Sequence, residues 1–167
     1  MGTSTDAILF WGVDFGEEPP YPWRDLAFGA APPHPWRDLE EDEGDDAVEA
    51  RDWLYRKIGG PDYPTWDETT KTFTPVLQEY WRARDQALRD YFPGGVPEFD
   101  IHCSYNYTLH FVTLEGLKYT ASRGYPITIT PLDLVVMPEH LESFAKLSEL
   151  LGIEIKGMSW QLCSFWG

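Results

Sequence analysis

The sequence is poor in cysteine, short of basic residues and without a long apolar run, and each shortage removes a class of protein. Two cysteines, Cys103 and Cys163, stand 60 residues apart in a chain of 167. That is too few for the disulfide framework of a small secreted domain, and two buried free thiols are the simplest reading. Thirteen Lys and Arg face 28 Asp and Glu, a formal net charge of −15. Affinity for nucleic acid rests on Lys and Arg displacing counterions from phosphates, so direct nucleic-acid binding is not expected. No window approaches the roughly 18 apolar residues of a membrane span. The opening Met1–Asp6 lacks the basic segment of a signal peptide, and Asp6 stands where a myristoylation signal takes Ser or Thr.

Acid and aromatic residues are what the chain has in excess. Residues 1–50 hold 13 acids and two bases, Arg24 and Arg37, against 15 acids and 11 bases in the rest, so the charge is −11 in the first third and −4 beyond it. Such asymmetry points to an acidic segment attached to an ordinary domain. Eight of the 12 residues from Asp38 to Glu49 are acidic. An EF-hand is excluded here: with Gly44 at loop position 6, Leu39 and Ala50 occupy the first and last positions, where carboxylates are required. The plain reading is a solvated loop leading into a helix. The sharper one is an acidic surface for a basic partner, carried by Glu40, Glu41, Asp42, Glu43, Asp45 and Asp46.

Just before this run lies an internal repeat. Pro20-Tyr21-Pro22-Trp23-Arg24-Asp25-Leu26 recurs as Pro33-His34-Pro35-Trp36-Arg37-Asp38-Leu39, with six of seven positions identical at an offset of 13 residues. Local duplication accounts for it, and packing is the common fate of Trp. As a binding device it offers two equivalent pairs, Trp23 with Arg24 and Trp36 with Arg37, of the residue types enriched at interface hot spots.

The hydrophobic pattern gives the fold class. Ala7–Trp11 is a short apolar run ending at Gly12, as in a buried strand. Residues 13–45 read as an irregular Pro/Gly-rich and acidic insertion after that strand. Asp46–Ile58 reads as a helix stopped by Gly59-Gly60-Pro61, and Thr74-Pro75 opens a second one with the stripe Leu77, Tyr80, Trp81, Leu88 and Tyr91, Arg84 completing the spacing. From Glu98 the period becomes two. Strand candidates run through Phe99–Cys103, Tyr107–Val112, Lys118–Ser122 and Ile127–Thr130. Pro138–Leu151 is a third helix, with Leu141, Phe144, Ala145, Leu147 and Leu151 facing inward and Gly152 as its stop, and Ser159–Trp166 a terminal strand. The expectation is a single α+β domain over 1–167. Its sheet is mostly antiparallel, of four to six strands, with two or three helices on one face and the two terminal strands side by side.

No motif names a reaction: Gly-x-Ser-x-Gly, a Walker loop and His-Glu-x-x-His are all missing. His102 and His110 are the candidates for a site. A turn of Tyr105–Tyr107 places them face to face, and a turn one residue shorter places them on opposite faces. As metal ligands they need a third and fourth donor, for which Asp100 or a distant His140 are the options. The simpler reading is two polar residues on a solvated sheet face. Cys103 follows His102 directly and, by strand alternation, points to the other face, which separates thiol from base unless a bulge intervenes. Binding is therefore expected rather than catalysis, without a cofactor. The alternatives are a small enzyme or metal-binding domain centred on His102 and His110, or a self-associating protein that buries surplus aromatic residues as a homodimer.

The two ends of the chain, Ser4-Thr5-Asp6-Ala7-Ile8-Leu9-Phe10-Trp11-Gly12 and Trp160-Gln161-Leu162-Cys163-Ser164-Phe165-Trp166-Gly167, together with Arg123-Gly124-Tyr125-Pro126, are similar to small accessory proteins of tailed bacteriophages that have no assigned activity. The resemblance covers about a quarter of the chain and takes in neither the repeat nor the acidic run. It implies a phage protein acting in the cytoplasm of the bacterial host, and by analogy one that blocks host machinery or host defence, CRISPR complexes included. It carries over no catalytic residue.

Overall fold

The computed structural model describes residues 5–17, 46–61, 75–104 and 108–166. In chain order they form β1 (Thr5–Gly16), α1 (Asp46–Lys57), α2 (Pro75–Tyr91), β2 (Pro97–Ser104), β3 (Thr108–Ala121), α3 (Pro138–Leu151) and β4 (Ser159–Trp166). The fold is α+β, with the four strands in one mixed sheet. β1 lies between β3 and β4, antiparallel to both, and Thr5 to Gly12 face Trp166 to Ser159 residue for residue. The terminal strands are therefore neighbours, as their matching apolar runs suggest. The sheet closes into a barrel in the order β1-β3-β2-β4. The closing contact is a short parallel one, Cys103 to Phe165 and Ser104 to Trp166.

Closure divides the apolar residues into two cores. Ile8, Phe10 and Phe111 pack together with Cys163 and Phe165 against them, and the Phe10 and Phe111 rings stack at 4.0 Å. The larger core joins the sheet to the helices: Trp11, Val112, Leu114 and Leu117 meet Leu54, Tyr80, Leu88, Phe144, Leu147 and Leu151. Adjacent residues such as Phe10 and Trp11, or Phe111 and Val112, are thus buried on opposite sides. This is why β1 and the middle of β3 read as continuous apolar runs instead of alternating ones.

Several elements depart from the sequence expectation. Gly12 does not end the first strand, which continues to Gly16, so residues 13–16 belong to β1 and not to an irregular insertion. Gly12 instead permits a close crossing: a Cβ there would stand 1.9 Å from the Val112 carbonyl oxygen. The expected strand Lys118–Ser122 is not separate: its residues up to Ala121 are the end of β3, and Ser122 lies beyond it. The break felt in the pattern is an irregularity in the β1–β3 ladder, where Phe10 faces Lys118 but Gly12 faces Thr113, and Gly116 takes φ 89°. Ile127–Thr130 forms no strand. Asp133 accepts from both the amide and the hydroxyl of Thr130, at 2.7 and 2.8 Å, and so holds the segment in a turn.

The helices fall close to their expected bounds. Gly152 takes φ 66° and donates to the Ser148 and Glu149 carbonyls, closing α3 as a left-handed cap. Its inward face is Ser143, Phe144, Leu147 and Leu151, whereas Leu141 and Ala145 are exposed. Gly94 meets the first turn of this helix. It packs so tightly on α3 that a Cβ would lie 2.3 Å from the Glu139 backbone, and its amide donates to Ser143 Oγ at 2.9 Å. On α2, Leu77, Tyr80, Arg84 and Leu88 are buried, and Trp81 is turned toward solvent. Thr74, expected as the α2 cap, lies outside the described residues.

Candidate functional site

At the end of the barrel where β2 meets β4, three polar side chains stand in a row. Asp14 lies near the end of β1, where the ladder to β3 slips between Asp14 and Gly16. Its Oδ1 accepts from the Gly16 amide at 2.7 Å, a local turn that fixes the carboxylate. Its Oδ2 lies 3.0 Å from His102 Nε2. A carboxylate only accepts, so Nε2 carries the proton of this bond, and in the neutral ring Nδ1 is then the lone-pair nitrogen. Nδ1 faces Cys103 Sγ at 3.5 Å, within reach of a thiol hydrogen bond. The His102 side chain is 7% exposed and that of Asp14 29%.

Strand alternation would have sent Cys103 away from His102. It does not, because Cys103 sits at φ 75°, the sole non-glycine residue with positive φ among the described residues. L-residues adopt that conformation at a cost of about 1–3 kcal/mol. It reorients the backbone at the end of β2, just where that strand contacts β4. The expectation that thiol and imidazole are kept apart is therefore corrected: the contact forms at a residue whose backbone has left strand geometry.

The histidine expectations change as well. Ile101 faces His110 and His102 faces Leu109, so the two histidines are offset by one register position and do not oppose each other. Nor do they lie on a solvated face: His102 and His110 are 6% and 2% exposed. The His102 ring sits 6.0 Å from that of Phe111. Burial holds the His110 pKa below its ordinary 6.5, Asp14 pulls it upward, and His102 adds to the depression. His140 lies elsewhere and serves the helix instead. Its Nδ1 accepts from the Met137 amide at 2.9 Å and caps α3. Asp100 is engaged by Lys118 Nζ at 2.9 Å. Among the described residues no three His, Cys, Asp or Glu side chains converge as a metal-binding set.

The two cysteines are chemically unlike. Cys163 points toward the small core, its Sγ 3.6 Å from the Ile8 carbonyl oxygen. Burial above all, with Asp14, Cys103 and Asp100 adding to it, pushes its thiol up to about 12. Such a thiol is inert at neutral pH. Cys103 is half-buried and is the one beside an imidazole.

Trp23, Arg24, Trp36, Arg37, Glu40, Glu41, Asp42, Glu43 and Asp45 lie outside the described residues, and Asp46 is described only as the first residue of α1. Asp14 and Cys103 were not legible as site residues. The single sequence cue was Asp14-Phe15-Gly16, an Asx-and-glycine pattern that favours a local turn. Searches against protein-family models, curated proteins and solved structures match nothing to this chain.

Proposed function

We propose that the chain is a phage-encoded accessory protein that uses its acidic N-terminal third to occupy a basic surface on a bacterial host or defence protein, acting as an inhibitor or as a mimic of nucleic acid, in the manner of an anti-CRISPR. Host cytoplasm is the compartment this reading requires. The observation that carries it is where the surplus charge sits. Among the described residues beyond 50, many acids have a cation close by: Asp52 and Asp85 pair with Arg84, Glu98 and Asp100 with Lys118, and Glu142 with Lys146. Residues 1–50 hold 13 acids and two bases. That field has few internal cations to neutralise it and favours fast association with a basic partner.

The test is capture from bacterial lysate by the full chain, beside a variant in which Glu40, Glu41, Glu43, Asp42, Asp45 and Asp46 become Gln or Asn. The expected result is a basic protein held by the wild type at low salt, released as salt rises, and missed by the variant. Equal capture by both proteins sinks the reading.

One observation favours a second reading, self-association. Tyr125, Ile127, Leu132, Leu134, Val135, Met137 and Leu141 are exposed large apolar residues within a single stretch of chain, Leu132 at 83% and Tyr125 at 77%. Patches of this kind mark contact surfaces.

A further inference from the structure

We propose that Cys103, His102 and Asp14 form a nucleophilic thiol site that accepts an activated acyl group. Three features of the geometry meet there. The first is order: carboxylate, imidazole and thiol follow one another at 3.0 and 3.5 Å, with the tautomer fixed by Asp14 so that Nδ1 faces sulfur. The second is rigidity. His102 is buried against Phe111, and Asp14 is tied by the Gly16 amide, so the base is oriented before any substrate arrives. The third is strain. Cys103 alone among the described non-glycine residues holds positive φ, at the very residue whose thiol meets the imidazole. Strained backbone of this sort gathers at functional sites. A cysteine that merely fills space gains nothing from such an arrangement, and Cys163 shows what that kind looks like in this fold.

The chemistry runs as acyl transfer. Cys103 Sγ gives its proton to His102 Nδ1, and Asp14 Oδ2 steadies the imidazolium through Nε2–H. The sulfur attacks the carbonyl carbon of an ester or thioester, and the S–C bond forms as the tetrahedral oxyanion appears. Collapse breaks the bond to the leaving oxygen or sulfur, which takes the proton from Nδ1. Water then attacks the thioester on Cys103, its proton passes to His102, and the thiol is restored as the acid departs. Cys103 is the nucleophile, His102 the base and Asp14 a positioning residue. No redox partner is needed.

Two probes test this on the full chain: iodoacetamide, followed by intact mass, and p-nitrophenyl acetate, followed by nitrophenolate release. In Cys163→Ser, which keeps only the proposed nucleophile, iodoacetamide is expected to add once. Its rate at pH 7 should be about tenfold above that of glutathione, since a free thiol is only a few per cent ionised there. His102→Gln and Asp14→Asn, each checked for an unchanged melting curve, should return the rate to that of glutathione, and Asp14→Glu, which keeps a carboxylate for Nε2, should retain part of the enhancement. Asp14 is the more exposed of the two, so Asp14→Asn keeps the test open if His102→Gln fails to fold. p-Nitrophenyl acetate should leave one acetyl group on Cys103 with a matching burst, missing from Cys103→Ser. A Cys103 that reacts no faster than glutathione, or whose rate ignores the loss of Asp14, overturns the proposal. Neither result touches the acidic-segment reading, because capture by residues 40–46 does not use these side chains.

Discussion

At the scale of single residues, the buried His110 and the partly buried His140 contribute to how this protein responds to acid. Burial lowers the pKa of both His110 and His140 from 6.5, with Asp14 and Glu139 respectively acting in the opposite direction. The unfolded chain therefore binds protons at these positions more readily than the folded one. Stability from this source is complete above pH 6.5 and is lost as pH falls from there toward the folded-state values. Urea midpoints measured from pH 8 to 5 should be level down to about pH 7 and then decline. His110→Leu, similar in size and unable to titrate, should flatten part of the decline. A midpoint that rises on acidification would show that the folded state favours charged histidines, against the burial seen at His110. The same residue scale holds what the sequence conceals. His102 and Cys103 were visible as a neighbouring pair, but their contact depends on one backbone angle that no residue type announces. Cys is not among the residues enriched at positive φ, so pattern reading assigns it the ordinary strand geometry and the wrong side.

At the scale of elements, α1 and α2 are joined by a buried ionic cluster. Arg84 Nη1 contacts Asp52 Oδ1 at 2.7 Å, Tyr80 donates to the same oxygen at 3.2 Å, and Arg84 also reaches Asp85 at 3.0 Å. Arg84 and Asp52 side chains are 8% and 10% exposed. Such a pair adds little over apolar packing, but removing one partner strands the other charge in a dry site. Arg84→Met, which leaves the Asp52 carboxylate with the Tyr80 hydroxyl alone, should therefore cost about 3–5 kcal/mol, and Tyr80→Phe, which removes one hydrogen bond, about 1 kcal/mol. Urea denaturation checks both, and equal losses from the two variants would show that the cluster is solvated. Arg84 was legible as a member of the α2 stripe, and an Arg on an apolar stripe demands an acid opposite. Which acid answered was not legible, since Asp52 lies 32 residues away. Helix stops at Gly59-Gly60 and Gly152 were readable because glycine chemistry is local. Leu141 is exposed where helical spacing turns it inward, because the rotation of a helix about its axis depends on what it packs against, a tertiary property. The split of β3 into two candidates captured a real irregularity, but continuity of a strand is decided by its partner. Barrel closure, which rests on the short parallel contact at Cys103 and Ser104, left no trace in the sequence.

At the scale of the whole molecule, charge and apolar surface pull association in opposite directions. Two copies of a chain with net charge −15 repel each other, and the repulsion fades as salt shortens the Debye length to about 10 Å at 0.1 M. An apolar contact through Leu132, Val135 and Leu141, all exposed, is not weakened by that screening. Self-association by this stretch should therefore strengthen as salt rises, whereas a complex between the acidic segment and a basic partner should weaken. Sedimentation velocity of the pure protein across a range of concentration, at low salt and at about 0.5 M, where the Debye length is well under 10 Å, separates the two. A monomer at low salt that moves toward dimer at high salt, and an effect abolished by Leu132→Asp, is the expected signature of the apolar stretch. A monomer at every salt and concentration removes self-association and leaves Leu132 as an exposed side chain without a partner copy. A dimer that dissociates as salt rises would mean that copies meet through opposite charges. The acidic N-terminal third would then have its basic counterpart on a second molecule of the same chain, and the search for a host target would lose its premise.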